Sequence, residues 1–460
     1  MEFIVGNDIK VLNPTHELSL WVRENLIIDN PDYIKKKKLG KWTGNIARKM
    51  FLYDVGIHTV KIPFGMLSQV YKRFGSEASF QPDFSSIRSV LYDSGITLYP
   101  YQKNALEAAK KAKNGIIVMP CGSGKTQTAL QLVAEIGGRC LWLTHTQDLL
   151  NQSMNRAKSC FGLPYSEYGT ITGGKVNIGK ITFATVQTMC NIDLPKYKDE
   201  FDIIIVDECH KCVGSPTRVM QFYKVLTNLS ARYKYGLTAT PKRADGLEKS
   251  MFALIGDKIV EISKEEVKNT TCQVEVETYD THYMPNLDLV LAGDGTVNYG
   301  SLVDDLISNE ERLETVMNII NGRCDGPTLV LANRIEYLGK MIEKYNGKCI
   351  CLSAMSNTKR SKEIRKQSLK QLDSGEIDCI FATYQLAKEG LDVPNLRYVV
   401  FATPEKDETT VVQSAGRVSR KAEGKQKGTV IDFRDDFGMY KGWHKKRIAS
   451  YKKLKYILTE

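Results

Sequence analysis

At 460 residues, 42% hydrophobic and 9% aromatic, the chain has globular proportions and room for two or three domains. No run reaches the roughly 18 apolar residues of a membrane span, and the start MEFIVGNDIK lacks the basic and apolar stretches of an export signal, so a soluble, cytoplasmic protein without a membrane partner is expected. With 64 Lys and Arg against 53 Asp and Glu the net charge is +11, which favours an anionic partner, and eleven cysteines without a second CxxC pair predict reduced thiols rather than a zinc site.

Taken in order, 3–5 and 9–12 flank Gly6-Asn7-Asp8 and predict a hairpin, with a helix over 17–28. Then comes KKKKLGKWTGNIARK, in which Lys35, Lys36, Lys37, Lys38, Lys41, Arg48 and Lys49 meet no acid and surround Trp42. Such a run suits a phosphate backbone with a base or sugar to stack on; a solvated basic loop with Trp42 in the core is the plain alternative. Strands are expected at 50–55 and 59–62, then a helix in MLSQVYKRFG, and Ser, Asp and Pro82 make 76–97 a linker. Residues 1–92 thus read as a small α+β unit.

The second unit, 93–264, is organised around NGIIVMPCGSGKT from Asn114. An apolar strand breaks into a glycine loop and a helix beginning near Lys125. Gly122 and Gly124 let backbone N–H groups close around phosphate oxygens, Lys125 neutralises the β/γ-phosphates, and Thr126 holds Mg²⁺. Met119 stands where the strict pattern has Gly; a simple glycine turn is the bland reading. Gln102, in LYPYQ, is placed to approach the nucleotide base. FDIIIVDECH ends an apolar strand in Asp207 and Glu208, at the carboxyl end where open α/β sheets bind ligands. Asp207 suits Mg²⁺ held through water and Glu208 the polarising of an attacking water, with His210 linking them to their surroundings.

Residues 265–325 are polar and uneven and read as a connection with some structure of its own. A second strand and helix series over 326–440 (TLVLANR, CICLSA, CIFATY, YVVFAT, GTVIDF) predicts another parallel sheet without a phosphate loop. In QSAGRVSR, Arg417 and Arg420 are spaced to share a helix face, which suits a role in trans on a γ-phosphate; a surface salt-bridge pair is the alternative. The tail 441–460 is expected as a basic helix with an apolar seam of Ile448, Tyr451, Leu454 and Ile457.

The succession LYPYQ, PCGSGKT, THTQDLLNQ, TGG, ATVQT, DECH, TAT, LVLANR, ATYQLAKEGLDVP, QSAGRVSR resembles the motif series of the second helicase superfamily across residues 98–435. The resemblance implies two RecA-like parallel-sheet α/β domains in tandem behind a small N-terminal α+β DNA-binding domain, and an ATP- and Mg²⁺-dependent enzyme. It places ATP on Gln102, Gly122, Ser123, Gly124, Lys125, Thr126, Asp207, Glu208, Gly390, Asp392, Arg417 and Arg420. Coupling falls on His210, Thr238, Thr240 and Gln413, the last counted with the catalytic set. Nucleic acid falls on Thr146, Gly173, Gly174, Thr185, Arg334 and Thr383. DECH with TATPKRADG is similar to the XPB-like and phage UvsW-like branch, although His145 replaces the usual Pro and Arg243-Ala244-Asp245 keeps two of three residues of an Arg-Glu-Asp motif. LGKWTGNI and IPFGMLSQVYKRFG resemble the DNA-binding domain of UvsW-type recombination helicases, which moves Lys38, Lys41 and Trp42 toward DNA contact. The implied activity is that of a monomeric translocase remodelling forks, four-way junctions and displacement loops. An RNA-remodelling helicase and the motor subunit of a restriction or remodelling complex are the rivals; a DNA-binding adaptor with a dead ATPase is expected to lose Lys125, Glu208 or Arg420, and all three are present.

Overall fold

Alternation builds the first sheet. In β1 (Glu2–Val5) and β2 (Asp8–Leu12) every second side chain, Phe3, Val5, Ile9 and Val11, is buried. The expected helix spans His16–Leu26 and runs straight into β3 (Ile27–Asp29), which pairs with β4 (Lys49–Phe51). With β5 (Asp54–Val55), β6 (Thr59–Pro63) and β7 (Ser79–Pro82) the main sheet has the order β5-β6-β2-β1-β7. β7 lies inside the stretch expected as a linker. It pairs in parallel with β1, and the half-buried Phe80 stacks on Phe3 at 4.7 Å, so the packing of one ring outweighs the polar composition around it. The chain beyond it is strapped down, with the Tyr92 hydroxyl donating to the carbonyls of Gly138 and Lys180.

The structure, a computed structural model, describes residues 1–120, 122–241, 246–263, 265–267, 272–352, 359–388, 393–422 and 424–459. They fall into two compact units, 1–120 with 124–266, and 121–123 with 267–460. In the first unit the N-terminal sheet and the following α/β domain share one hydrophobic core, in which Phe3, Ile62, Phe64 and Val70 are continuous with Phe222, Leu226 and Ile255. The approach is close enough that a Cβ on Gly65 would stand 2.5 Å from the Ala253 carbonyl. At this seam Lys234 is fully buried; its ammonium donates to the carbonyls of Asn7 (3.0 Å) and Leu226 (3.1 Å) and lies 4.8 Å above the Phe64 ring.

Burial draws the Lys234 ammonium down to about 7, with Asp8 opposing, against about 10.4 in an unfolded chain. Between those values the unfolded chain binds more protons than the folded one, so this lysine's contribution improves as pH rises through the window and its cost is complete below pH 7. Lys234→Met removes the titration. Its thermal midpoint relative to wild type is expected to stand highest below pH 7 and to fall toward pH 10; an equal difference at both ends would contradict the assignment.

The α/β domain of the first unit has eight strands: β8 (Asn114–Val118), β9 (Cys140–Thr144), β10 (Tyr168–Thr172), β11 (Lys175–Asn177), β12 (Ile181–Thr185), β13 (Ile203–Val206), β14 (Tyr233–Thr238) and β15 (Lys258–Glu261), in the order β11-β10-β12-β9-β13-β14-β8-β15. All pairings are parallel except the β10–β11 hairpin. Continuous apolar runs such as IIIV in β13 are buried on both faces, as helices on both sides require.

The second unit is a seven-stranded, wholly parallel sheet. It comprises β16 (Gln273–Asp280), β17 (Thr328–Ala332), β18 (Cys349–Leu352), β19 (Cys379–Thr383), β20 (Tyr398–Phe401), β21 (Lys427–Arg434) and β22 (Ile457–Thr459), in the order β18-β19-β17-β20-β21-β16-β22. The stretch 265–325 supplies β16, which lies between β21 and β22, and the helices Tyr299–Ser308 and Glu310–Arg323, which bury Leu302, Leu306, Val316 and Ile320. The tail is helical only over Gly438–Lys453; Ile457 belongs to β22 and is 45% exposed, so it lies outside the expected seam. The helix instead buries Tyr440, His444, Arg447 and Tyr451. Arg447 donates from Nε to Asp432 Oδ2 (2.8 Å) and from Nη2 to Oδ1 (2.8 Å), while Arg312 grips Asp435 from Nε (2.7 Å) and Nη2 (3.2 Å), all fully buried. Among the described residues ten cysteines are free thiols, no group of His, Cys, Asp or Glu is arranged to hold a metal, and no helix is long and apolar enough to cross a membrane.

Candidate active site

Parallel strands put their carboxyl ends on one edge, and along that edge of the first unit the motif residues stand in a row. β10 leads to Gly173 and Gly174, β12 to Thr185, β9 to Thr146, β13 to Asp207 and Glu208, β14 to Thr238 and Thr240, and β8 to the glycine loop. The residues expected to touch nucleic acid thus occupy one half of the edge and those expected to touch nucleotide the other, with β13 at the seam.

The glycine loop begins where Met119, fully buried, donates its N–H to the Thr238 carbonyl at 3.0 Å. Gly122 and Gly124 both have φ +78°, and a Cβ on Gly124 would lie 2.3 Å from Gln102 Nε2. Only glycine closes that loop. The helix Lys125–Ile136 starts at once and presents its unpaired N–H groups and positive dipole end to the loop. Lys125 Nζ reaches the carbonyls of Met119 and Pro120 only at 3.4 Å each, long contacts that a phosphate oxygen would replace with stronger ones. Gln102, 2% exposed, accepts the Tyr99 N–H at 2.9 Å, so it caps its own helix while its amide faces Gly124.

At the end of β13, Asp207 accepts from the Ser153 hydroxyl and from the Glu208 N–H, both at 3.0 Å. Burial, with Glu208 alongside, pushes Asp207 up to about 6. Glu208 moves the other way: burial alone would raise it, but Lys125, His210 and Lys211 together hold it below the usual carboxylate range. Glu208 also has φ +47°, a left-handed backbone costing about 1–2 kcal/mol, which turns the chain sharply between strand and helix. His210 Nδ1 lies 3.3 Å from Glu208 Oε2 and 2.9 Å from Thr238 Oγ1, and Thr238 Oγ1 accepts the Thr240 N–H at 3.0 Å. One chain of contacts therefore joins the carboxylates to the Thr-Ala-Thr strand end. Ser153 belongs to none of the motifs; at i+7 from Thr146 it shares that residue's helix face, which is the signal in the sequence that points to it.

Other expected residues also have plain structural roles. Thr146 and Thr185 cap the helices Gln147–Cys160 and Val186–Cys190. Gly173 and Gly174, at φ +55° and +77°, form the mirror-image two-residue turn between β10 and β11. His145 is pushed down to about 3 by burial and by Lys211 and Arg218, so it stays neutral. Trp42 is 83% exposed, which removes the alternative that it is core; its ring covers Gly44, and the helix Pro31–Lys38 before it buries none of its residues.

In the second unit Thr383 ends β19, Arg334 follows β17 and ion-pairs with Asp304 at 3.4 Å, and Gln413 is 9% exposed on the helix Glu408–Ala415. That helix stops before the two arginines. Arg417 lies in the tight turn Gly416–Ser419 and Arg420 is extended, so they do not share an α-helical face as expected. The Ser419 hydroxyl bonds back to the Gly416 carbonyl and the Ser419 carbonyl accepts the Cys272 N–H at 2.9 Å, which ties the segment down just before β16. Gly390, Asp392, Arg243 and Asp245 lie outside the described residues.

Residues 95–243 match the family described as type III restriction enzyme, res subunit, and residues 311–422 the helicase conserved C-terminal domain. The chain is 26% identical over 412 residues to L396 of Acanthamoeba polyphaga mimivirus, an ATP-dependent RNA helicase by name alone, covering 85% of this chain and 75% of that one. It is also 26% identical over 368 residues to the DNA 3'-5' translocase XPB2 of Sulfurisphaera tokodaii, covering 71% and 80%. The helicase domain of Pyrococcus furiosus Hef shares the fold at a TM-score of 0.51 and 17% identity, over 75% of this chain and 97% of that one.

Proposed function

We propose, from the premise that this chain is a superfamily 2 helicase of XPB-like type and an ATP-dependent enzyme of nucleic acid, that it remodels branched DNA in recombination or repair inside the cell, as a monomer of UvsW-like kind. The observation carrying the branched substrate is the N-terminal unit. Its basic run and 83% exposed Trp42 project from a small sheet domain whose interior is one hydrophobic core with that of the motor domain, so they offer a second DNA grip that moves with the first.

The residues present fit a magnesium nucleotide: the Gly124 cradle admits no Cβ, and Asp207 is a buried carboxylate at the strand end. Gln102, Gly122, Ser123, Gly124, Lys125 and Thr126 would hold ATP, with Thr126 and Asp207 toward Mg²⁺ and Gly390 and Asp392 completing the set. Bound Mg²⁺-ATP supplies a transferable γ-phosphoryl group and neutralises its charge. The chain's own residues do the rest. Glu208, held ionised, takes the proton from the attacking water; His210, hydrogen-bonded to Thr238, stands 3.3 Å from its carboxylate. Arg417 and Arg420 offset charge on the γ-phosphate. Thr146, Gly173, Gly174, Thr185, Arg334 and Thr383 contact phosphates, which carry no base identity, so affinity falls steeply with salt and little with sequence.

The test is ATP hydrolysis and strand separation with a labelled four-way DNA junction. The junction is expected to stimulate turnover and be resolved, and Trp42→Ala to weaken junction binding about fivefold or more, the cost of a lost base-aromatic stack. Stimulation by RNA alone, with the junction intact, would replace this reading by the RNA-remodelling one that the mimivirus relative's name favours.

A further inference from the structure

An aromatic pair beside the carboxyl edge of the second sheet is used by none of the motifs. Tyr299 opens the helix Tyr299–Ser308 and is 45% exposed, and Trp443 lies on the helix Gly438–Lys453. Their rings stand 5.8 Å apart at 56°, and Tyr440 backs Trp443 edge-on at 5.3 Å. Lys406, itself exposed in the loop after β20, rests its ammonium 4.7 Å from the Tyr299 ring centre and 5.5 Å from that of Trp443.

That loop is not loose. Arg312 donates to the Ala402 carbonyl (3.0 Å) and Arg447 to the Glu405 carbonyl (3.2 Å), and Asn333, beside Arg334, donates to the Pro404 carbonyl (3.1 Å). Strand order β19-β17-β20 then sets Thr383, Arg334 and Lys406 in a row along one edge, and Asp304, the partner of Arg334, lies on the helix that Tyr299 opens. A lysine above an exposed ring contributes only about 0.5–1 kcal/mol, whereas a base stacked on an aromatic side chain is worth about 1–3 kcal/mol. An arriving base can therefore displace the ammonium, which remains within reach of a phosphate.

We propose that Tyr299 and Trp443, with Lys406, form a stacking platform for one unpaired base of a single strand whose phosphates meet Arg334 and Thr383. The platform rests on the reading of those two residues as nucleic-acid contacts. Every base has a π face, so it grips without sequence preference and distinguishes a strand with bases from a bare backbone.

The experiment measures binding of the full chain to a fluorescent oligothymidylate and to a fully abasic strand of equal length. Wild type is expected to prefer the thymidine strand; Tyr299→Ala should reduce that preference about tenfold and Tyr299→Phe restore it. A 5-iodouracil strand irradiated with wild-type protein should crosslink to Tyr299 or Trp443, a readout independent of any variant's folding. An unchanged preference in a folded Tyr299→Ala, or crosslinks only elsewhere, overturns the platform. Arg334→Ala binding both strands as wild type does, with the Tyr299 effect intact, would leave the platform standing and remove Arg334 from the phosphate contacts. Binding of neither strand by wild type would overturn both.

Discussion

Replacing Lys125 by alanine is expected to abolish ATP hydrolysis, with turnover down at least about a hundredfold, the scale for loss of a single preorganised charge-stabilising group. Among the described residues its ammonium meets two carbonyls at 3.4 Å each, both from the loop it serves. Its loss has a second effect, because Lys125 leads the cations that hold Glu208 below the usual carboxylate range and also lowers Asp207. Without it both carboxylates shift toward the protonated form. Glu208→Gln separates these effects. It leaves the phosphate cradle intact, so a fluorescent ATP analogue is expected to bind as to wild type while turnover falls about 10²- to 10⁴-fold. Equal nucleotide affinity in wild type and Lys125→Ala would remove Lys125 from the phosphate site.

Arg447→Met is expected to carry the largest cost in stability, about 3–5 kcal/mol, because it strands the buried Asp432 carboxylate, which among the described residues keeps the Tyr451 hydroxyl and the Phe433 N–H as donors. Urea unfolding of the full chain followed by far-ultraviolet circular dichroism should show the second unit melting earlier. Adding Asp432→Leu removes the stranded charge and should recover part of the loss; a double variant less stable than the single by the full cost of Asp432→Leu alone would mean that the two side chains are not coupled.

What was legible in the chain followed from how each segment meets water. IIIV, CLWLT and CIFAT lie inside parallel sheets, so their letters are apolar throughout and the strands are read without ambiguity. β16 is QVEVETYD, where Glu275 pairs with Lys427 and Glu277 with Arg323, so charge-pairing residues disguised a strand as a connection. β7 was hidden by Ser and Pro around one informative ring, Phe80. Apolar letters alone set the expected seam of the last helix and leave out Arg447, whose burial depends on a carboxylate fifteen positions earlier. Lys234 reads as a solvated residue in a strand and is covered only because Asn7 and Phe64 come from far along the chain. The row of phosphate and carboxylate residues was legible as motifs, but its sharing of one edge is a property of strand order, which single segments do not carry.

The continuous core joining the N-terminal sheet to the motor domain bears on how the enzyme should be dissected. Residues 1–84 have no separate melting transition to expect, because their apolar faces and those of Phe222, Leu226 and Ile255 are one interior. Cutting them away would expose that interior to water and leave Lys234 without the Asn7 carbonyl that accepts its hydrogen bond. A truncated motor would then aggregate or soften for reasons unrelated to DNA, and its inactivity would say nothing about what the N-terminal residues bind. Point substitutions on the solvent side, at Trp42 or Lys41, are the changes that report on binding alone.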